Sequence, residues 1–483
     1  MLERFFRLRE NNTTVRIEVL AGLTTFLTMA YIIFVQPAVL SGQMFGMNTG
    51  MDFGSVTTAT CLCAALATAL MALYARYPIA QAPGMGENFI FVLTVIPAAG
   101  AMIAALESAG TLEPGSTAPW QIALGVVFIA GVLFLLISVF GVQRMVLEAI
   151  SPSMRNAMAV GIGLFIAFIG MQGATLVVDS PGHLVKMNPH VAAPDLLVFF
   201  FGLLLTAGLF ASRVRGSIVW GIVGATLLAV VLKFGLPHMP ASIAQSELVT
   251  QSKLMTQFAV ADGVVSRPPS MAPTFFKMDI VRALAWPMIP FILIFLFMDV
   301  FDTLGTLVGV SEQAGFIKDN KLPRAKQALI SDAVGTVAGA ACGTSTVTSF
   351  IESAAGVEQG GRTGLTALTT AGLFLLALFF SPLIKMVGSY PAITAPAMVV
   401  VGSMMMRNVI KIDWKNYAES MPAFLTFTGI ALTYSIADGL ALGFISYPII
   451  KLLAGQGRDV KWLMYGMAVV LALYLVFVRG QAG

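Results

Sequence analysis

The chain has 483 residues, 57% of them hydrophobic and only 11% charged, with a mean hydropathy of +0.86. Soluble domains run at about 45–50% apolar and about 25% charged, so a soluble enzyme is excluded first. Twenty-eight Lys and Arg against 24 Asp and Glu leave a net charge of +4, too small for a nucleic-acid surface, and the basic residues fall in short clusters between apolar runs.

A helical crossing of the bilayer core takes about 20 apolar residues, because in lipid the backbone must satisfy its own hydrogen bonds. In chain order, such runs lie at 17–40, 55–75, 87–105, 120–141, 156–177, 195–212, 216–234, 284–309, 328–342, 364–384, 391–410, 417–434, 437–455 and 462–479, with a half-span near 346–357. The first follows Arg4, Arg7, Arg9 and Arg16 and has neither the length nor the cleavage site of a signal peptide. Its N-terminus is therefore expected in the cytoplasm. Arg76, then Arg144 with Arg155, then Arg213 with Arg215, then Lys318, Lys321, Arg324 and Lys326 fall on alternate connections, as the positive-inside rule requires. The loop 106–119 has no Lys or Arg and is expected outside, as is the long polar connection 236–280 between the halves. About fourteen segments result, although only Ser435 and Ile436 separate 417–434 from 437–455. Cys61, Cys63 and Cys342 all fall in apolar runs, and three scattered thiols make neither a disulfide framework nor a four-ligand zinc site.

Two stretches interrupt this pattern with small and polar residues at membrane depth, Gln81-Ala-Pro-Gly-Met-Gly-Glu-Asn88 and Gly343-Thr-Ser-Thr-Val-Thr-Ser-Phe-Ile-Glu352. Interrupted segments at corresponding places in two halves are the sequence mark of an inverted-repeat transporter, whose substrate site forms where broken helices meet. The expected fold is an all-α polytopic membrane protein.

An ionisable residue inside a span costs about 2.5–3.5 kcal/mol on insertion scales, so each one asks for a function or a partner. These are Glu87, Asp299, Asp302, Glu352 and Asp438. Asp299 and Asp302 are three apart and share a helix face, so that one can meet ligand while the other holds a neighbouring helix; Asp438 reads as a turn residue. Ionised carboxylates only accept hydrogen bonds, which points to a cation or a neutral molecule offering N–H groups and disfavours an organic anion. Arg362, just after the second break, is placed to cap a helix end. His183, His190 and His238 all lie in expected external loops. If uptake is coupled to protons, a buried carboxylate must then carry the proton, with Glu352, Asp302 and Glu87 as candidates. Phe89, Phe91 and Phe350, beside the breaks, have faces on which a flat ring can stack. There is no GxxxxGK[ST] phosphate loop, no HExxH and no paired metal-ligand helix. No metal or cofactor is expected, and an ion gradient is the expected energy source.

Five stretches closely resemble the AzgA-like purine permeases of the nucleobase/ascorbate transporter superfamily: Arg16-Ile-Glu-Val-Leu-Ala-Gly-Leu-Thr-Thr-Phe-Leu-Thr-Met-Ala-Tyr-Ile-Ile-Phe-Val35, Ala82-Pro-Gly-Met-Gly86, Gly161-Ile-Gly-Leu-Phe-Ile-Ala-Phe-Ile-Gly170, Phe301-Asp-Thr-Leu-Gly-Thr-Leu307 and Gly343 through Val357. The likeness runs from Arg16 to about Asp413. It implies seven-plus-seven inverted repeats, with core and gate domains built from the first four and last three helices of each repeat. On this chain the core domain would take 1–141 and 281–385, the gate domain 142–235 and 386–483, and 236–280 would be the external connecting loop. It implies symport of purine bases such as hypoxanthine, guanine or adenine with a cation, H+ rather than Na+, across a cytoplasmic membrane, and a homodimer formed through the gate domain. The acids matching the family's binding positions are Asp302 and Glu352, the aromatic two residues earlier is Phe350, and the first break around Glu87 and Phe89 lies opposite. Thr348 and its polar neighbours Thr344, Ser345 and Thr346 would supply donors that carboxylates lack. The chain departs from the family at Glu87, where an apolar residue is expected before Asn88, at Gln36, where Asn is expected, and at Thr306, where some relatives carry His. The alternatives are a cation-coupled carrier of another ring, such as uracil, xanthine or urate, and an anion transporter of the same fold.

Overall fold

The computed structural model describes residues 2–141, 150–180, 184–316 and 322–478; Arg144, His183, Lys318 and Lys321, named above, lie outside the described residues. The chain is a mostly helical polytopic membrane protein. Among the described residues, eleven helices are long and apolar enough to cross a bilayer, from Val15–Leu40 to Ile436–Leu453. Large apolar side chains stand exposed on several of them, including Phe140, Leu204, Leu227 and Val231, as an outer surface facing hydrocarbon requires. Of the expected spans, 328–342, 417–434 and 462–479 are helices but fall outside the eleven, the last two because their helices, Tyr417–Leu432 and Trp462–Val476, are short.

Small polar side chains set several helix starts by accepting from backbone N–H groups that would otherwise lack a partner. Thr14 accepts from Ile17 N at the start of α1 (Val15–Met29), which resumes after Tyr31 as α2 (Ile32–Leu40). Asp52 does the same for α3 (Phe53–Leu70). The chain then leaves the helical conformation for β1 (Gln81–Pro83) and re-enters it as α4 (Met85–Ile90), continued by α5 (Ile96–Ser108). α6 (Pro119–Phe140) and α7 (Pro152–Gly173, capped by Ser151) follow, then the β2–β3 hairpin (Val177–Ser180 and Leu184–Met187), α8 (Pro194–Ala211) and α9 (Ser217–Gly235). The second half runs α10 (Ile289–Gln313), α11 (Ala325–Cys342), β4 (Val347–Ser349), α12 (Ser353–Glu358), α13 (Gly364–Ala377), α14 (Ser381–Gly388), α15 (Pro391–Met405), α16 (Tyr417–Leu432), α17 (Ile436–Leu453) and α18 (Trp462–Leu473). The doubtful pair at 417–455 is thus two helices, reversed at Tyr434 with φ 56° and packed on each other.

The expectation of an all-α chain is corrected at two places. The β2–β3 hairpin joins α7 to α8, and β1 pairs antiparallel with β4 across the two halves. The second correction matters most, because the two breaks are not free loops but one short ladder. α11 can stop where β4 needs it to because Gly343 adopts φ 96°, a conformation costly for any residue with a Cβ. The helices pack in two groups: α1, α2, α3, α6, α10, α11, α12 and α13 surround the ladder, while α7, α8, α9, α15, α16, α17 and α18 pack mainly on one another.

Candidate functional site

The β1–β4 ladder is the centre from which the site is built. Gln81, Ala82 and Pro83 lie opposite Ser349, Thr348 and Val347. The pairing is extended at both ends, with Gly84 N donating to Thr346 O at 3.1 Å and Phe350 N to Ala80 O at 3.0 Å. A helix starts immediately beyond each strand, so Glu87 sits in the first turn of α4 and Glu352 at the cap of α12. Both breaks therefore bring an acid to the opening of a short helix, although the first N–H groups of α12 are already taken by the carbonyls of Phe350, Ile351 and Glu352.

Glu352 is half-buried and is gripped from α1 and its continuation. The Tyr31 hydroxyl donates to Glu352 Oε1 at 2.9 Å, and Thr28 Oγ1 donates to the Glu352 carbonyl at 3.3 Å. Asp302 stands on α10 and is exposed, together with Gly305, Val308 and Ile351. A side chain at Gly305 would meet open space. Charge interactions connect Asp302 with both Glu352 and Glu87, so this exposed group of residues adjoins the ladder. Glu87 itself is enclosed, and among the described residues its Oε1 has no hydrogen-bond partner.

The remaining sequence candidates are close by but covered. Thr348 is buried, with its hydroxyl 2.8 Å from that of Thr303, and Phe350 is buried beside it. Phe89 presents no free face: its ring meets Phe45 and Phe165 edge-on, with centroids at 6.0 and 5.9 Å. Phe91 is likewise enclosed. Of the six residues expected to contact substrate, Asp302 and Glu352 are the two that reach accessible space.

Asp299 and Asp302 divide their work as their spacing suggests. Asp299 is buried and accepts from Thr336 Oγ1 on α11 at 2.7 Å, tying the two helices. Asp438 accepts from the Tyr474 hydroxyl at 2.9 Å, and Arg362 Nη1 donates to the carbonyls of Val357 and Gly361 at 2.5 and 2.9 Å, capping α12. His190 is exposed in a loop, whereas His238, expected in one, is exposed at the end of the helical turn Leu236–His238 that continues α9. Gln36 bonds Thr344 and Ser345 through Nε2 at 2.9 and 3.1 Å, while Asn88 bonds Gln36 Oε1 and accepts from Ser345 Oγ. The departure at Gln36 thus lies inside one buried polar network, and the departure at Glu87 is the residue before its member Asn88.

Sequence reasoning missed Tyr31 and Asp332. Tyr31 stands inside the first motif but carries no charge to draw notice. Asp332 lies within the run 328–342, where a test for ionisable residues in spans would have found it. It is fully buried and accepts from Gln81 Nε2 at 2.6 Å and Ser349 Oγ at 3.2 Å. Two further buried acids have ordinary structural explanations. Glu18 collects donors from Arg362 N, Thr363 and Thr366 at the start of α13, and Asp195 accepts from the backbone N–H groups of Lys253 and Leu254 and from the Tyr390 hydroxyl.

The model of the family described as "Permease family" matches residues 16–442. A putative permease of Methanocaldococcus jannaschii is 44% identical over 480 residues, covering 99% of each chain. The guanine/hypoxanthine permease PbuG of Bacillus subtilis is 40% identical over 99% of this chain and 100% of its own, and the adenine permease AdeP of Escherichia coli 36% over 99% and 96%. Among solved structures, the transmembrane domain of the cyanobacterial bicarbonate transporter BicA matches with TM-score 0.57 at 14% identity, covering 88% of this chain and 96% of that one. SLC26A9 matches with TM-score 0.59 at 11% identity over 91% and 66%. At these identities the two structures speak for the fold alone.

Proposed function

The chain belongs to the permease family, a transporter and not an enzyme, and from that premise we propose that it is a proton-coupled symporter importing purine nucleobases by alternating access. The observation that carries the reading is Asp302, a carboxylate exposed beside the ladder, near the half-buried Glu352 at the crossing of the two breaks. The names of the relatives, guanine/hypoxanthine and adenine permeases, support the substrate class.

In this reading Asp302 and Glu352 accept N–H hydrogen bonds from the base, with Tyr31 fixing the second acid in the orientation that keeps its other oxygen free. Two carboxylates cannot satisfy the acceptors on a purine edge. The first N–H groups of α12 already bond the carbonyls of Phe350, Ile351 and Glu352, so the donors come from the opening of α4 and the hydroxyls of the second break, and Phe350 packs against the ring once the site closes on it. The helices around the ladder form a core domain, and the second packing group, with α14's neighbours from 386 onward, forms a gate domain. Fourteen segments in two inverted repeats of seven, a cytoplasmic N-terminus and a homodimer formed through the gate complete the architecture. The two acids weigh against the anion reading despite the fold likeness to anion transporters, because among the described residues neither is paired with a Lys or Arg.

The test is uptake of labelled hypoxanthine by cells lacking their own purine permeases, with an uncoupler and with unlabelled adenine, guanine, xanthine and uracil as competitors. Uncoupler-sensitive uptake that purines suppress and uracil does not is the expected outcome. No uptake of any base by protein shown to be in the membrane overturns the substrate class.

A further inference from the structure

Behind these acids, on the far side of the ladder, lie two more carboxyl groups. Asp299 on α10 and Asp332 on α11 are 2% and 0% exposed; Thr336, one turn after Asp332 on α11, donates to Asp299, which brings the two carboxyl groups to the same side of the α10–α11 contact, where their charges act on each other. One oxygen of each is committed: Asp299 Oδ2 to the Thr336 hydroxyl at 2.7 Å, and Asp332 Oδ1 to Gln81 Nε2 at 2.6 Å and Ser349 Oγ at 3.2 Å. Among the described residues, Asp299 Oδ1 and Asp332 Oδ2 have no donor, and neither does the fully buried Gln81 Oε1 beside them. Two ionised carboxylates so placed without a donor repel each other in a medium that scarcely screens them. One proton held between them removes the repulsion and supplies the missing bond.

The surroundings offer nothing else to neutralise the pair. α10 contributes Asp302 and α4 contributes Glu87, both acids whose charges reach the pair. β1 and β4 contribute Gln81, Thr348 and Ser349, α3 contributes the Cys63 thiol, bonded to Ala338 O, and α6 carries no titratable side chain. Lys326, at the start of α11, is exposed and six positions before Asp332.

We propose that Asp299 and Asp332 share a proton and that this pair, behind the base-binding acids, is the coupling-proton site. The inference rests on the proton-symport reading and moves the proton away from Asp302, Glu352 and Glu87. The pair is wired to the ladder. The Thr336 hydroxyl bonds both the N–H and the carbonyl of Val347 at 3.1 Å, and Asp332 holds Gln81 on one strand and Ser349 on the other. A change of charge at the pair therefore reaches Thr348, Phe350 and the starts of α4 and α12 through Gln81 on β1 and Val347 and Ser349 on β4. In the cycle a hydronium ion on the outer side gives up a proton, its O–H bond breaking as one forms at the pair while the base enters, and that bond breaks again as inner water takes the proton and the base leaves.

The experiment uses the full-length protein in liposomes, with Asp332→Asn and Asp299→Asn beside the wild type, and measures three quantities: counterflow exchange of hypoxanthine, accumulation driven by a pH gradient, and proton uptake on adding base. Each variant is expected to keep counterflow within about threefold while losing accumulation by about tenfold or more, within the usual range of coupling factors, together with the base-evoked proton signal. A variant that still accumulates base with a wild-type proton signal overturns the proposal. If the wild type shows exchange but no pH-driven accumulation, the symport reading itself fails, and this outcome is separate from the first. Should neither variant be stable, infrared spectra decide the matter on other proteins. A protonated-carboxyl band at neutral pH in the wild type that survives in Asp302→Asn, Glu87→Gln and Glu352→Gln supports the pair, whereas absence of the band, or its loss in any of those three, overturns it.

Discussion

Tyr31 and Glu352 make the plainest case at the scale of single residues. The phenol holds one carboxylate oxygen at 2.9 Å, so Tyr31→Phe removes the bond while keeping the ring. Side-chain hydrogen bonds between membrane helices are worth about 0.6 kcal/mol on average and about 1.7 at most, which corresponds to a roughly 3- to 20-fold weaker apparent affinity for base at unchanged membrane abundance. Competition uptake with graded hypoxanthine measures it, and an unaltered KM would show that the phenol does not position the acid. The Asp302 carboxyl lies by the Thr348 hydroxyl and is otherwise exposed beside the ladder. Asp302→Asn keeps the shape but turns half of an acceptor pair into a donor, so it is expected to abolish uptake of the preferred base and to leave the protein as stable as before. An Asp302→Asn carrier that takes up base normally removes the residue from the site. Charge alone would not single these two acids out from Glu18 or Asp195. What distinguishes them is the supply of donors, since Glu18 and Asp195 are saturated by backbone N–H groups and hydroxyls, whereas Asp302 and Glu352 keep acceptor capacity toward open space.

At the scale of elements, the β1–β4 ladder is held from behind by Gln81, whose amide bonds Asp332 and Ser349. Gln81→Leu removes both donors in a site without water access, and an unpaired buried polar partner costs about 1–3 kcal/mol. The purified protein should unfold at a lower temperature, and an unchanged melting temperature would show that the ladder is held by its backbone alone. Gly343 sets the approach to β4. An alanine there would need φ near 96° and would bring its Cβ to 2.2 Å from Thr274 Cβ, so Gly343→Ala is expected to reduce folded protein in the membrane more severely than Gln81→Leu, as quantitative fluorescence of a tagged carrier would show. These elements also mark how far the sequence could be read. Hydropathy located the helices because apolar runs must match bilayer thickness, and the Gly, Pro and hydroxyl residues located the breaks because they are poor company for a lipid-exposed helix. The pairing of the breaks was not legible: the ladder joins residues about 270 positions apart, and no local period records which distant strand a three-residue segment meets. For the same reason Asp302 and Glu352 could be named from the sequence while the Asp299–Asp332 pairing and the Tyr31 grip could not, since both depend on which helices cross.

For the molecule as a whole, alternating access requires the helices around the ladder to move against the second packing group. The contact between them that is easiest to interrogate is aromatic. Phe89 on α4 meets Phe165 on α7, and Phe165 in turn meets Tyr434 between α16 and α17, with centroids 5.9 and 5.3 Å apart. Edge-to-face pairs of this kind add about 0.5–1.5 kcal/mol beyond their buried area, enough to favour one conformation several-fold and little enough to be broken in each cycle. A carrier bearing Phe89→Cys and Phe165→Cys, bridged by a short bifunctional maleimide, should therefore lose both uptake and counterflow, and single-cysteine controls should not. Cys61, Cys63 and Cys342 are replaced by alanine in this background, and because Phe89 and Phe165 are themselves buried the reagent reaches the introduced pair only when the two groups part. Saturating base should also slow the bridging if the site closes around substrate by moving these two groups relative to each other. A bridged carrier that still exchanges base would mean that the groups stay fixed and that access alternates by movement of the broken segments alone. In that case the ladder itself, and not the surface between the two packing groups, would be the moving part.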